Sequence, residues 1–233
     1  MTAYTPAEYA ALLARLRTHS DEGYRKFNES LMPGTENTYG VRAPVLRVLA
    51  KELLQGDWPG FLAIARDDSH EELLLQGLVI AGARCPLPKK LPLLRAFIPK
   101  LNNWALCDMT AAACKWKRQD LPLLWDFFVP DLHSPHEFEV RFAAVQLMDY
   151  FWDDDWIGPS LEAYRTVEHT GYYVTMALAW GLSVFFVKQR AATLPLLEQR
   201  VFPAAVHNKA IQKCRESLRV SPEDKAYLNT LKL

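Results

Sequence analysis

Trp104 and Asp108 stand one helical turn apart, and Arg141 and Trp180 follow them at separations of 33 residues (from Asp108) and 39 residues (from Arg141). A carboxylate framed by two indoles and a guanidinium suits recognition of something cationic or planar. It also suits chemistry at a carbon that develops positive charge, which a nearby carboxylate stabilises and an aromatic face attracts. Each residue has a plainer reading as well. Trp104 and Trp180 could be core, because tryptophan is usually largely buried, and Asp108 could simply serve the start of its helix. Arg141 could pair with Glu137, Asp149 or another local acid, or reach a phosphate with its planar fork. The two separations match one residue per repeat and favour a shared surface.

The elements that must position these side chains are helices. Apolar residues recur at helical spacing almost throughout, and no alternating strand stands out. Met1–Thr18 reads as an amphipathic helix capped by Thr5-Pro6-Ala7-Glu8, with no signal peptide. Ser69-x-x-Glu72 and Ser134-Pro135-His136-Glu137 are further capping-box patterns, and Ser221-Pro222-Glu223-Asp224 opens a final helix. Pro44 and Pro59 suit first-turn positions.

The chain repeats itself. Leu-Pro-Leu-Leu occurs at 91–94, 121–124 and 194–197, each time followed by a turn and a second amphipathic helix. Those second helices are WALCDMTAAACKWK, EFEVRFAAVQLMDYFW and NKAIQKCRESLRV. Two further pairs, WPGFLAIARD with HEELLLQGLVIAGARC and SLEAYRTVEH with YYVTMALAWGLSVFFVK, complete the series. The expectation is an all-α chain, an alpha-solenoid of HEAT-like helical repeats, forming over residues 1–233 a single curved domain with a concave groove. Ala111-Ala112-Ala113 and Ala143-Ala144 would let second helices pack closely.

Of the 233 residues half are hydrophobic, enough for a continuous core, and 27 basic residues cancel 27 acidic ones. Overall charge therefore gives no argument for a polyanionic partner, but its distribution is uneven. Arg84 to Arg118 holds eight bases against Asp108 alone, and includes Lys115. Asp120 to Glu168 holds eleven acids against Arg141 and Arg165. Lys188 to Arg219 holds seven bases against two acids. The basic blocks are either solvated helix faces or two grips on a phosphate backbone. Lys209 and Lys213 share a face of the closing helix, with Arg215 and Arg219 beyond, and Glu216 is placed to pair with Lys213 or Arg219. Near the start of the chain Tyr39, Arg42, Arg47 and Lys51 surround a helix start suited to phosphate.

Other chemistry is missing. There is no glycine-rich phosphate loop, GxSxG or HExxH motif, and the four cysteines form no CxxC pair, so reduced thiols are expected. His133-x-x-His136 and Asp153-Asp154-Asp155 lack metal-site spacing, and no apolar run is long enough for a membrane span. The expectations are no cofactor, no metal, no membrane and a monomer.

Trp104-x-x-x-Asp108, Arg141 before two alanines, YYVTMALAWGLS with Trp180, and NKAIQK followed by RES together resemble the AlkD-like DNA alkylation repair proteins, built of HEAT-like repeats. The resemblance runs from about residue 39 to about residue 221. It implies a DNA glycosylase whose partner is double-stranded DNA with alkylated bases, and which removes positively charged N3- or N7-alkylpurines while the lesion stays stacked; the cytoplasmic location expected of the chain comes from its reduced cysteines. By position, Asp108 would be the catalytic carboxylate, Trp104 and Trp180 would contact the deoxyribose and backbone around the lesion, and Arg141 would hold a nearby phosphate. Tyr39, Arg42, Arg47, Lys115, Lys209 and Lys213 would supply further DNA contacts. Two alternatives stand beside it: a noncatalytic binder of DNA structures, and a protein-interaction scaffold.

Overall fold

Capping residues start the helices where the chain turns. In the computed structural model, which describes residues 4–233, Thr5 accepts the Glu8 N–H while the Glu8 carboxylate accepts the Thr5 N–H, a complete capping box for α1 (Pro6–Thr18). The expected helix therefore begins at Pro6, and the part of that expectation falling on residues 1–3 lies outside the described residues. The first unit ends at Lys115 and continues with α2 (Glu22–Leu31), α3 (Ala43–Gln55), α4 (Trp58–Ile64), α5 (His70–Gly82), α6 (Leu87–Phe97) and α7 (Trp104–Ala113). The second begins at Trp116 and holds α8 (Leu121–Phe128), α9 (Glu137–Tyr150), α10 (Ile157–Arg165), α11 (Tyr172–Lys188), α12 (Arg190–Glu198), α13 (Ala204–Glu216) and α14 (Pro222–Thr230). No strand occurs among the described residues. All five helical pairs read from the sequence are present, as α4/α5, α6/α7, α8/α9, α10/α11 and α12/α13.

The second members of the pairs form the spine of each unit. In the first, α5 packs between α3 and α7; in the second, α11 packs between α9 and α13. A helix held on both sides must be apolar nearly all round. α5 is buried from His70 to Ala81, and α9 from Val140 to Met148. Each buried Leu, Val or Ile in these runs contributes about 1.5–3 kcal/mol over its exposed state. Small residues set the spacing. Ala111, Ala143 and Ala144 are fully buried, whereas Ala112 faces out, so only part of the alanine run serves close packing. Gly181 is needed for another reason. A Cβ there would lie 2.3 Å from the Tyr164 hydroxyl, which donates to the Ala144 carbonyl at 2.6 Å and so ties α10 to α9.

Not every start signal works as read. Ser221 caps α14 by accepting the Asp224 N–H at 3.0 Å, and Ser69 caps α5 through Glu72. Ser134 does not cap α9, which starts three residues later at Glu137 with His136 in the cap position. Its hydroxyl accepts the His136 N–H and donates to Glu139, holding the entering turn instead. Likewise the Leu-Pro-Leu-Leu copies are not uniform. Pro122 sits in the first turn of α8, but Pro92 and Pro195 fall inside α6 and α12.

Candidate functional site

Asn103 fixes the start of the helix that carries the first candidate pair. Its Oδ1 accepts the Leu106 N–H at 2.8 Å, satisfying one of the open donors of α7. Trp104 and Asp108 then emerge on the same side, one turn apart, with Ala112 one turn further on. Both are half-buried and Ala112 is exposed, while Leu106, Cys107, Thr110 and Ala111 on the other side are buried. Trp104 is thus not sealed inside the core. Its indole N–H donates to the Leu31 carbonyl at 2.9 Å, closing the C-terminal end of α2. Lys115 is exposed, and its ammonium bonds the Ala112 carbonyl at 3.0 Å, a cation at the negative end of α7.

The loop before α3 is organised by a carboxylate that the sequence reading passed over. Glu71, 1% exposed, accepts three consecutive backbone N–H groups: Tyr39 at 2.9 Å, Gly40 at 2.8 Å and Val41 at 3.0 Å. Gly40 makes the turn possible, with φ +76° and Asp21 O only 2.6 Å from where a Cβ would stand. These main-chain donors, which precede the N-cap Arg42 of α3, point inward to Glu71. Tyr39 is half-buried and burial raises its phenol pKa. Arg42 is exposed but engaged: it pairs with Asp21 at 2.9 Å and lies 4.6 Å from the centre of the Tyr24 ring. Arg47 is exposed on α3. Beside Glu71, Glu72 is also buried and accepts the Tyr9 and Ser69 hydroxyls. His70 completes the group, its Nδ1 3.2 Å from the Asn103 amide nitrogen. One signal in the sequence could have found these residues. The run after them, LLLQGLVIAGA, is apolar on every face, so the helix is buried all round and its charged start must be buried with it.

In the second unit Arg141 is only 6% exposed, and its Nη1 donates to the Tyr173 carbonyl at 2.9 Å. One turn earlier on α9, Glu137 accepts the Tyr173 N–H at 2.6 Å. The pair grips both main-chain groups of one residue in the first turn of α11. Arg141 thus positions the helix that bears Trp180, and little of its guanidinium is open. Trp180 itself is half-buried on the outward side of α11, in line with Tyr172, Met176 and Val184. It lines a cleft of about 330 Å³ with Lys213, Glu216, Ser217 and Arg219, so the structure brings Trp180 and Lys213 together. Lys209 is half-buried and bonds Gln212, and Glu216 accepts from Gln212 rather than from a basic neighbour.

Much of the basic charge is already engaged. Lys100 pairs with Asp67 at 2.9 Å, and Lys90 is buried against the Ala81 carbonyl, where burial lowers its pKa. Arg118 holds Asp153 at 2.6 Å and Asp155 at 2.9 Å, which explains the three-aspartate run as a braced turn. Arg190 pairs with Asp224, and Lys188 lies 3.6 Å from the centre of the Trp152 ring. Among the described residues no group of three or more His, Cys, Asp or Glu could hold a metal ion, and no helix is long and apolar enough to cross a membrane.

Comparison with known proteins adds one finding. A search of curated proteins returns no match. A family model described as DNA alkylation repair enzyme matches residues 12–155, which takes in Trp104, Asp108 and Arg141. That match covers more than half of the 233 residues, and the chain belongs to the DNA alkylation repair enzyme family.

Proposed function

We propose that the protein is a DNA glycosylase that hydrolyses the N-glycosidic bond of positively charged N3- or N7-alkylpurines in duplex DNA. The observation that carries this reading is the open side of α7: a carboxylate, Asp108, partly accessible, with an indole one turn before it and an alanine one turn after. An alkylated purine already bears positive charge and leaves as a neutral base without a strong general acid. The barrier is the oxocarbenium character left on the sugar. A carboxylate at about 3–4 Å stabilises that charge and orients the attacking water. An indole face adds about 0.5–2 kcal/mol of cation–π attraction when desolvated. Undamaged purines depart poorly, so the cationic leaving group itself supplies selectivity.

In this reading Trp104 and Trp180 lie against the deoxyribose and backbone around the lesion. Arg141 sets the start of α11 and offers what remains of its edge to a phosphate. Lys209, Lys213, Lys115, Arg47, Arg42 and Tyr39 add contacts to the duplex, weakened by salt in the usual way. No cofactor or metal enters the chemistry, and a monomer suffices.

The test is duplex DNA carrying one N7-methylguanine, assayed for free base. The wild-type chain should release base well above the spontaneous rate, and Asp108→Asn should lower that release by about 100-fold or more with helical content unchanged. Undiminished release by Asp108→Asn rejects the role given to Asp108. DNA binding without any release by the wild type returns the chain to a noncatalytic binder of the same family.

A further inference from the structure

Of the three buried polar residues that open α5, two hold neighbouring segments. Glu71 gathers the loop at 39–41, and Glu72 receives the Tyr9 and Ser69 hydroxyls. The His70 side chain, 6% exposed, does neither. Its backbone N–H donates to the Asn37 carbonyl at 3.1 Å, and its ring reaches the start of α7, with Nδ1 3.2 Å from the Asn103 amide nitrogen. That nitrogen can only donate, so the ring accepts. An aliphatic side chain would fill this space without the cost of desolvating an imidazole. What a histidine adds here is an acceptor at a fixed place.

An asparagine caps a helix in one amide orientation only. With Oδ1 toward the Leu106 N–H, at 2.8 Å, the first turn of α7 is closed. Turned over, the amide would set its NH2 against that N–H and the turn would open. Two acceptors hold the amide nitrogen on the correct side. Asn102, at 2.9 Å, is exposed, so water competes for its bond. His70 is buried and mounted on α5, which is buried from its first residue to Ala81. Trp104 is the first residue of α7, and in the helical pattern the Asp108 N–H bonds the Trp104 carbonyl. The other tie at this end, from the Trp104 indole to Leu31, runs to α2, where no residue is buried. We propose that His70 is the positioning residue of the Trp104–Asp108 pair: it fixes the amide of Asn103 and, through that cap, the place of the indole and the carboxylate. The inference rests on the reading of this pair as the excision site, and adds to it a buried group that acts only through Asn103.

The experiment measures three things on each variant: single-turnover base release from a duplex with one N7-methylguanine, affinity for the undamaged duplex, and hydrogen exchange at the Leu106 amide. His70→Leu removes the acceptor. It should slow release about 10–100-fold, the scale of a misplaced catalytic group, and leave affinity within about twofold. Exchange at Leu106 should quicken while Leu74–Val79 stay protected. His70→Asn, whose Oδ1 stands near the place of Nδ1, should restore both release and protection. In Asn103→Ser the hydroxyl caps α7 with no amide to turn over, so adding His70→Leu should cost no further rate. A role in folding alone predicts the opposite: an equal loss in both backgrounds and no rescue by His70→Asn. Either of those results, or unchanged Leu106 exchange in folded His70→Leu, overturns the proposal. If His70→Leu does not fold, His70→Met replaces it as the acceptor-free variant; failure of both, with His70→Asn folded, makes His70 a residue of the fold and also overturns it. Wild-type protein that releases no base rejects the glycosylase reading. Leu106 exchange then decides the placement by itself, upheld if faster in His70→Leu and overturned if unchanged.

Discussion

The Asn103 side chain links the cap of α7 to a buried histidine. Its Oδ1 takes the Leu106 N–H, which leaves its amide nitrogen to donate to Nδ1 of His70 at 3.2 Å and to Asn102 at 2.9 Å. Nδ1 is therefore the acceptor, and in the neutral ring the proton rests on Nε2, an assignment made from this network. Burial lowers the His70 pKa below its ordinary 6.5, with Glu71 opposing the shift. The folded chain binds that proton more weakly than the unfolded chain. The stability that neutral His70 contributes is thus complete above about pH 6.5 and falls as pH drops from there toward the folded value, by at most about 1.4 kcal/mol per pH unit. Urea unfolding at pH 7.5, 6.5 and 5.5 should show this slope, and His70→Gln should flatten it. An equal slope in the variant would remove His70 from the account.

Trp104 joins α7 to α2 through one hydrogen bond, from its indole N–H to the Leu31 carbonyl. Trp104→Phe keeps an aromatic face and loses that bond. The expected cost in global stability is small, about 0.5–1.5 kcal/mol. The local effect should be larger, because no residue of α2 is buried and its C-terminal turn is otherwise held by the Thr38 hydroxyl on Glu29 and by the buried Met32 just beyond it. Hydrogen exchange should accelerate in Phe27–Leu31 and stay unchanged in α5. Uniform protection in both helices would show that the indole does not hold α2.

Glu71→Gln puts an amide in place of a carboxylate that accepts three main-chain N–H groups. At least one of those donors then faces an NH2 group in a buried site. A destabilisation of about 2–4 kcal/mol is expected in denaturant unfolding, the range for lost charge-assisted bonds and an unsatisfied buried donor. A loss below about 1 kcal/mol would mean that the loop at 39–41 is held by other contacts.

Gly181→Ala would set a Cβ against the Tyr164 ring and hydroxyl. Tyr164 is fully buried, and displacing it gives up its bond to Ala144. The combined overpacking and lost bond should cost about 2–5 kcal/mol. Adding Tyr164→Phe should recover part of that cost, since the nearest clashing atom is the hydroxyl. No recovery in the double variant, measured as a cycle of unfolding free energies, would place the strain elsewhere on α11.

The helical pairs and most of their starts were legible because their signals are local. A cap such as Thr5 with Glu8, or Ser221 with Asp224, is written within four residues. The Ser134 pattern misled because α9 begins only at Glu137: the Ser134 hydroxyl takes the His136 N–H in the turn before the helix and donates to Glu139, five residues on. The buried trio His70, Glu71 and Glu72 was not legible from spacing, since its partners Asn103, Tyr39–Val41 and Tyr9 lie some 30 to 60 residues away. Arg141 shows the same limit. Its local acids suggested an ion pair or a free fork, while the residue it meets, Tyr173, belongs to the next helical pair and offers a carbonyl. The open side of α7 was foreseen by the turn spacing of Trp104 and Asp108, but whether that side was core or surface needed coordinates.

Because Glu71 fills the donors at 39–41 from within, that corner of the protein carries its own counter-anion. A duplex approaching it would meet a nest already neutralised and would shed few condensed ions there. The electrostatic handle on DNA would then rest on side chains such as Arg47 in the first unit and Lys213, Arg215 and Arg219 in the second. A chain with no net charge would in this way confine its attraction for a polyanion to a few places, and leave the remainder of its surface indifferent to undamaged genome.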